Sequence, residues 1–236
     1  MCSPAQSARQ GVLRTKDRCS LEVMGNRYQR IVFGDAARAR QRSAGSVGAY
    51  GGDMSGDKAP VDEGRQELGS RELSMLTSAF QFHLATVTES GWPYVQYRSG
   101  PAGFVHHLSD NRIAFADFRG NRQFVSTGNI DTDGRVAIFV ADYPLRSRLK
   151  VFGRAHVSDD PELLRRLRRV DDGEISATCE RSIVVDVEAF DWNCSRSLVP
   201  QYTADQVRER VQPYIDRITE LQSEVAALRA AAEEKP

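Results

Sequence analysis

Residues 82–99 read FHLATVTESGWPYVQYRS, and this stretch decides the fold class. Two runs of strand composition, 82–88 and 94–99, flank Glu89-Ser90-Gly91-Trp92-Pro93. The Ser-Gly dipeptide and the proline after it mark a tight connection followed by an antiparallel return, so the segment is expected to form a hairpin. Working outward, four more runs of strand composition occupy 113–118, 135–141, 149–157 and 182–190. Six short strands at this spacing predict a barrel or a sandwich. A helix is expected over 70–80, where Ser70 opens a segment whose Leu73, Leu76 and Phe80 would face one core. Shorter helices are expected over 121–129 and over 161–170, the latter with Leu163, Leu164 and Leu167 on one side. The body is thus expected to be mainly β with helical inserts.

The 236 residues suit one core domain with extensions, since a single core serves roughly 100–200 residues. Lys plus Arg and Asp plus Glu both number 32, so the formal net charge is zero and no field over the whole molecule recruits nucleic acid or anionic lipid. Cys2, Cys19, Cys179 and Cys194 lie far apart without a C-x-x-C pair, which argues against a disulfide framework and against a zinc site. No apolar run approaches the ~20 residues that span a bilayer, and the N-terminus lacks the apolar stretch of a secretory signal. A cytoplasmic protein with neither nucleic acid nor membrane as partner is the expectation.

Residues 1–23 hold few large apolar side chains and are expected to form a disordered tail, with Met24 a candidate initiator ahead of the more patterned 28–42. Residues 24–65 are expected to be an N-terminal arm ending in a glycine-rich linker, AGSVGAYGGDMSGD over 44–57. The core domain is assigned to 66–202. In the last segment, 203–236, Val211, Ile218, Val225 and Ala232 recur every seven residues, interleaved with Tyr214, Leu221 and Leu228. These are the a and d positions of a coiled coil, although the same stripe would suit a helix lying on its own domain, and Pro213 sits inside the pattern.

The residues show no pattern for covalent or metal catalysis. His83, His106, His107 and His156 belong to no H-E-x-x-H, and no G-x-S-x-G elbow or P-loop occurs. His83 reads as a packed strand residue, and the adjacent His106 and His107 would point to opposite faces of a strand. What stands out is FADFRGNRQ over 115–123, where a strand runs into a turn and an expected helix. Such a junction aims backbone N–H groups and arginines at one point and suits a phosphate. Arg98, Arg146, Arg148 and Lys150 lie on or beside other expected strands and are candidates to converge on the same anion. A solvated basic edge is the plainer alternative.

The stretch FHLATVTESGWPYVQYRSGPAGF, followed by RIAFADFRGNRQFVSTGNI, RVAIFVADYP, RLKVFGRAHV and AFDWN, resembles a subgroup of the pyridoxamine-phosphate-oxidase-like FMN-binding proteins over about 66–202. The resemblance implies a six-stranded split barrel that forms a homodimer, with FMN in clefts between the subunits. It assigns Arg98, in Y-R-S-G-P, to the flavin phosphate, and the backbone of Ala116 and Asp117 to the border of the cofactor. Asn121, Arg122 and Gln123 correspond to the phosphate-binding S-R-K triplet of the oxidases, so the arginine is kept while serine and lysine are replaced. Arg148 stands where the oxidases commonly carry a glutamine that contacts the flavin ring from the other subunit, and Trp192 matches the tryptophan of their F-x-W motif. After Trp192 the oxidases carry an R-x-H motif that positions pyridoxal phosphate. Asn193 to Tyr202 contain no histidine here, so vitamin B6 oxidation is not expected.

The resemblance therefore implies an FMN-dependent oxidoreductase that takes a hydride from an organic substrate or from NADH or NADPH. It names no catalytic acid or base. The alternatives are a deazaflavin-dependent reductase in the same cleft, or a non-catalytic flavin- or haem-binding dimeric module.

Overall fold

The computed structural model describes residues 26–50, 64–170, 173–193 and 196–233. The expected tail over 1–23, Met24, positions 51–57 of the glycine-rich segment and Cys2, Cys19 and Cys194 lie outside the described residues. Two helices, α1 (Asn26–Val32) and α2 (Asp35–Ala44), and a short 3-10 turn (Val47–Tyr50) precede α3 (Ser70–Thr77). The hairpin follows as β1 (Gln81–Val87) and β2 (Pro93–Ser99), then β3 (Val105–Ser109), β4 (Arg112–Phe118), α4 (Val125–Thr132), β5 (Arg135–Asp142) and β6 (Ser147–Ser158). The chain continues through α5 (Pro161–Leu167), a two-residue pair β7 (Arg169–Val170) and β8 (Gly173–Glu174), the long β9 (Cys179–Asn193) and α6 (Ala204–Glu233).

The main sheet is antiparallel with seven strands in the order β2-β1-β5-β6-β9-β4-β3. The six expected strands are all present, and the seventh is β3, the segment that carries His106 and His107. It is five residues long, bonds only to β4, and mixes one buried valine with two histidines, so it lacks the composition by which a strand is recognised.

The sheet is rolled, because residues near its opposite ends meet. Phe82 on β1 makes an edge contact with Phe115 on β4 at 5.1 Å between ring centroids, and it stacks on Phe104 at 5.6 Å. One core cluster accordingly collects inward side chains from six strands: Phe82 and Leu84, Val105, Ile113, Val136 and Ile138, Leu149 and Val151, Ile183 and Val185. Outside the roll, Leu167 of α5 covers Ala114, Ala116 and Val184. Gly153 allows β6 to bend onto β9, since a Cβ there would stand 2.5 Å from the Asp186 carbonyl oxygen, next to the register shift between Phe152 and Gly153.

Polar contacts hold the N-terminal segments on this barrel. Buried Asn111 donates to the carbonyls of Gln66 and Val187, both at 2.7 Å, and accepts from the Leu68 N–H at 2.8 Å. Tyr28 of α1 packs edge-on against Phe152, and Arg27 pairs with Glu188 at 2.5 Å. Although α4, VSTGNIDT, is a poor helix former, Asn129 reaches the Thr86 hydroxyl at 2.8 Å and Ile130 is buried, so tertiary contacts set its place at 125–132 rather than 121–129. The C-terminal helix does not lie on its own barrel: every residue from 207 to 232 is exposed, which removes that alternative for its apolar stripe. No helix among the described residues is long and apolar enough to cross a membrane.

Candidate functional site

Where the roll closes, β2, the β4–α4 turn, the start of α4 and the beginning of β9 surround a cavity of about 120 Å³. Its walls include Arg98, Asp117, Asn121, Arg122, Gln123 and Glu180. Five of the residues singled out in the sequence are thus brought together. Arg98 reaches across from the edge strand, and its Nη1 donates to Asp117 Oδ1 at 2.6 Å. Its Nε is buried and has no hydrogen-bond partner among the described residues.

The turn is shaped by two residues in the left-handed region that are not glycine, Arg122 at φ 60° and Phe124 at φ 53°. Backbone of this kind is held by its surroundings and clusters at ligand sites. Asn121 Oδ1 accepts from the Gln123 N–H at 3.2 Å, fixing the turn. Phe124 then caps α4, whose first residues Val125, Ser126 and Thr127 line the cavity. The N–H groups of a first helical turn lie ahead of any intrahelical acceptor and carry partial positive charge.

Electrostatically the site is a guanidinium cluster. Around Arg98 and Arg122 stand Arg119 and Arg181, with Asp117 and Glu180 as the acidic partners. Glu180 lies 3.4 Å from Arg119, 3.6 Å from Arg122 and 3.0 Å from Arg181, and Arg181 also approaches Asp117 at 3.9 Å and covers the Phe124 ring. Four guanidinium groups against two carboxylates leave an excess of two positive charges, the complement of a phosphate dianion. With the orphaned Arg98 Nε and the start of α4, this is a fit for the phosphate of a flavin nucleotide.

Glu180 and Arg181 escaped the sequence reading because the last strand was expected to begin at 182. β9 in fact begins at Cys179, and its pairing sets Arg181 opposite Asp117. The adjacent Glu-Arg pair just ahead of an apolar run was the available signal.

Arg148, Trp192, Lys150 and Arg146 lie elsewhere in the chain, while Ala116, whose backbone was the expected border, adjoins Asp117 on β4. The side chain of Ala116 is buried under α5, on the outer face of β4. Arg148 pairs in register with Asn193 at the far end of β6 and β9, and donates to the Arg196 carbonyl at 3.5 Å. Beside it, Trp192 donates from Nε1 to Glu72 Oε1 at 2.6 Å and is covered by the Arg71 guanidinium at 4.1 Å. Lys150 does not join Arg98 on one anion, since it sits 3.3 Å from the Tyr28 hydroxyl and 3.7 Å from Asp191. Arg146 belongs to the β5–β6 turn. Within one chain, then, β6 carries its basic residues to a different part of the molecule.

The family model described as pyridoxamine 5'-phosphate oxidase matches residues 72–213. Among solved structures, HupZ of Group A Streptococcus is 15% identical, with 57% of this chain and 100% of that one covered and a TM-score of 0.42. An F420 reductase is 26% identical, with coverages of 50% and 94% and a TM-score of 0.38. An FMN-binding protein from Syntrophomonas wolfei is 13% identical, with coverages of 52% and 86% and a TM-score of 0.38. Among curated protein sequences, none matches the chain.

Proposed function

Since the chain belongs to the pyridoxamine 5'-phosphate oxidase family, we propose that it is an FMN-dependent oxidoreductase whose cofactor phosphate lies in the cavity between β2, the β4–α4 turn and β9. The observation that carries this reading is the convergence of Arg98, Arg122 and the first residues of α4 around a space of about 120 Å³, with Arg119 and Arg181 paired to its carboxylates so that the cluster of four arginines, Asp117 and Glu180 holds two positive charges in excess. FMN, when bound, supplies hydride transfer at its N5.

The chain's own residues hold and orient. Asp117 fixes the Arg98 guanidinium at the cavity wall through Nη1, and the Nε left without a partner is a further donor on that wall. Glu180 spaces Arg119, Arg122 and Arg181, and Gln123 presents a neutral donor where the oxidases have a lysine. Arg148 and Trp192 stand away from this cavity. In the proposed homodimer they belong to the ring end of the cleft of a second copy, where an arginine favours negative charge on the ring. The absence of histidine from Asn193 to Tyr202 supports a substrate other than pyridoxamine phosphate, with NADH or NADPH as candidate hydride donors.

Mass spectrometry of the small molecule released from the purified protein tests the proposal. FMN supports it. A deazaflavin, or a protein that neither carries nor takes up any flavin, would overturn it. Turnover with NADH or NADPH then separates an enzyme from a flavin-binding module without catalysis.

A further inference from the structure

The longest helix in the molecule is unused by the proposed site. At 30 residues α6 is about 45 Å long, and its apolar stripe faces solvent: Val211, Ile218, Leu221, Val225 and Leu228 are 42–65% exposed. A seam of this length on a helix with no core of its own needs a partner. We propose that the partner is a second copy of this chain, and that the two α6 helices pair as a parallel two-stranded coiled coil.

Three observations select this occupant. The a positions Val211, Ile218 and Val225 are β-branched, and the last two d positions, Leu221 and Leu228, are leucine. That distribution favours two parallel strands over trimers or tetramers.

The flanking charges also choose the direction. In a parallel pair Glu224, at g, faces Arg229, at e, of the other helix, and the equivalent positions Arg210 with Ile215 and Arg217 with Gln222 bring no like charges together. In the antiparallel arrangement that overlaps the whole stripe, Arg208 would face Arg229 of the other helix twice, which offsets the two Arg217–Glu224 attractions of that arrangement, whereas the parallel pair has attraction alone.

The third observation concerns Pro213. It falls at position c, outside the seam, and α6 runs through it without a break, so no side chain of the stripe is replaced by it.

The inference does not depend on the cofactor and is tested in the full chain. Leu228→Cys is oxidised mildly and the linked peptides are mapped by mass spectrometry, with wild type accounting for the native cysteines and Ser223→Cys, at the outer position f, as the control. A disulfide between the two copies of position 228, absent from the control, is expected. The second measurement is the thermal midpoint of the far-ultraviolet helical signal. Arg229→Glu should lower it by setting Glu224 against a new carboxylate, and Glu224→Arg combined with Arg229→Glu should restore it. A 228–228 link missing under these conditions overturns the proposal, as does an Arg229→Glu midpoint that rises, which marks an antiparallel pair. An unchanged midpoint in both variants overturns it too, because it marks an unpaired helix.

Discussion

Arg98 on β2 and Asp117 on β4 meet at 2.6 Å although their strands stand near opposite ends of the sheet order. The pair is therefore both a clasp on the rolled sheet and one wall of the candidate phosphate cavity. The two side chains retain only 19% and 13% of their exposure. A carboxylate so enclosed is costly without its partner.

From that clasp the first prediction follows. Arg98→Ala leaves Asp117 with only the more distant Arg181, and should destabilise the fold by about 3 kcal/mol while also weakening FMN binding. Asp117→Asn, which keeps the hydrogen-bond acceptor, should cost less. Denaturant unfolding of both variants at unchanged m-value checks the order, and equal losses would show that the pair does not act as a clasp.

Arg122 is a cleaner probe of the anion, because its side chain is 57% exposed and its partner Glu180 lies 3.6 Å away. Arg122→Ala should leave the unfolding midpoint of the cofactor-free protein nearly unchanged. It should weaken FMN binding by about 1.5 kcal/mol, the lower end for a hydrogen bond to a charged group. Titration of the cofactor-free variant reads this directly, and wild-type affinity would remove Arg122 from the site.

A third prediction concerns Glu72, which accepts from the Gly69 N–H at 2.9 Å and from Trp192 Nε1 at 2.6 Å. Glu72→Ala deprives α3 of its N-terminal acceptor and leaves the indole N–H unpaired, for a loss of about 1–3 kcal/mol. The only other tryptophan, Trp92, is already exposed, so a red shift in emission would report Trp192. An unshifted spectrum would argue against the contact.

These relationships were unequally visible in the sequence. The strands were legible because runs such as 149–157 and 182–190 are apolar and bounded by turns, and the Gly-Arg-Ala of β6 marks a backbone approach that only glycine permits. β3 was not, because an edge strand carrying two histidines leaves no compositional trace. Of the site, Arg98, Asp117 and the 121–123 turn could be named, but which β6 residues stay apart from them depends on how the sheet rolls. That is a long-range property no local pattern encodes. Glu180 and Arg181 were hidden by a three-residue error in one strand boundary. The a/d stripe was plain in α6, and only the fold showed that its own barrel does not cover it.

The fourth prediction is a pH dependence. Burial, reinforced by the negative charge and hydrogen bond of Asp191, pushes the Tyr28 phenol well above its ordinary value. With the folded value raised, the contribution of Tyr28 to stability is complete below the ordinary phenol range and is lost as pH rises beyond it, because the unfolded chain releases the proton first. In an alkaline spectrophotometric titration one tyrosine should lag, and the lag should vanish in Tyr28→Phe. Titration of every tyrosine in the ordinary range would contradict this.

The central claim is that the guanidinium cavity holds a phosphate, and riboflavin offers the most direct test because it is FMN without that group. Cofactor-free protein titrated with each should bind FMN more tightly by about a hundredfold, two steps of about 1.4 kcal/mol, and Arg122→Ala should narrow the gap from the FMN side alone. Equal affinity for FMN and riboflavin in the wild-type protein would contradict the account.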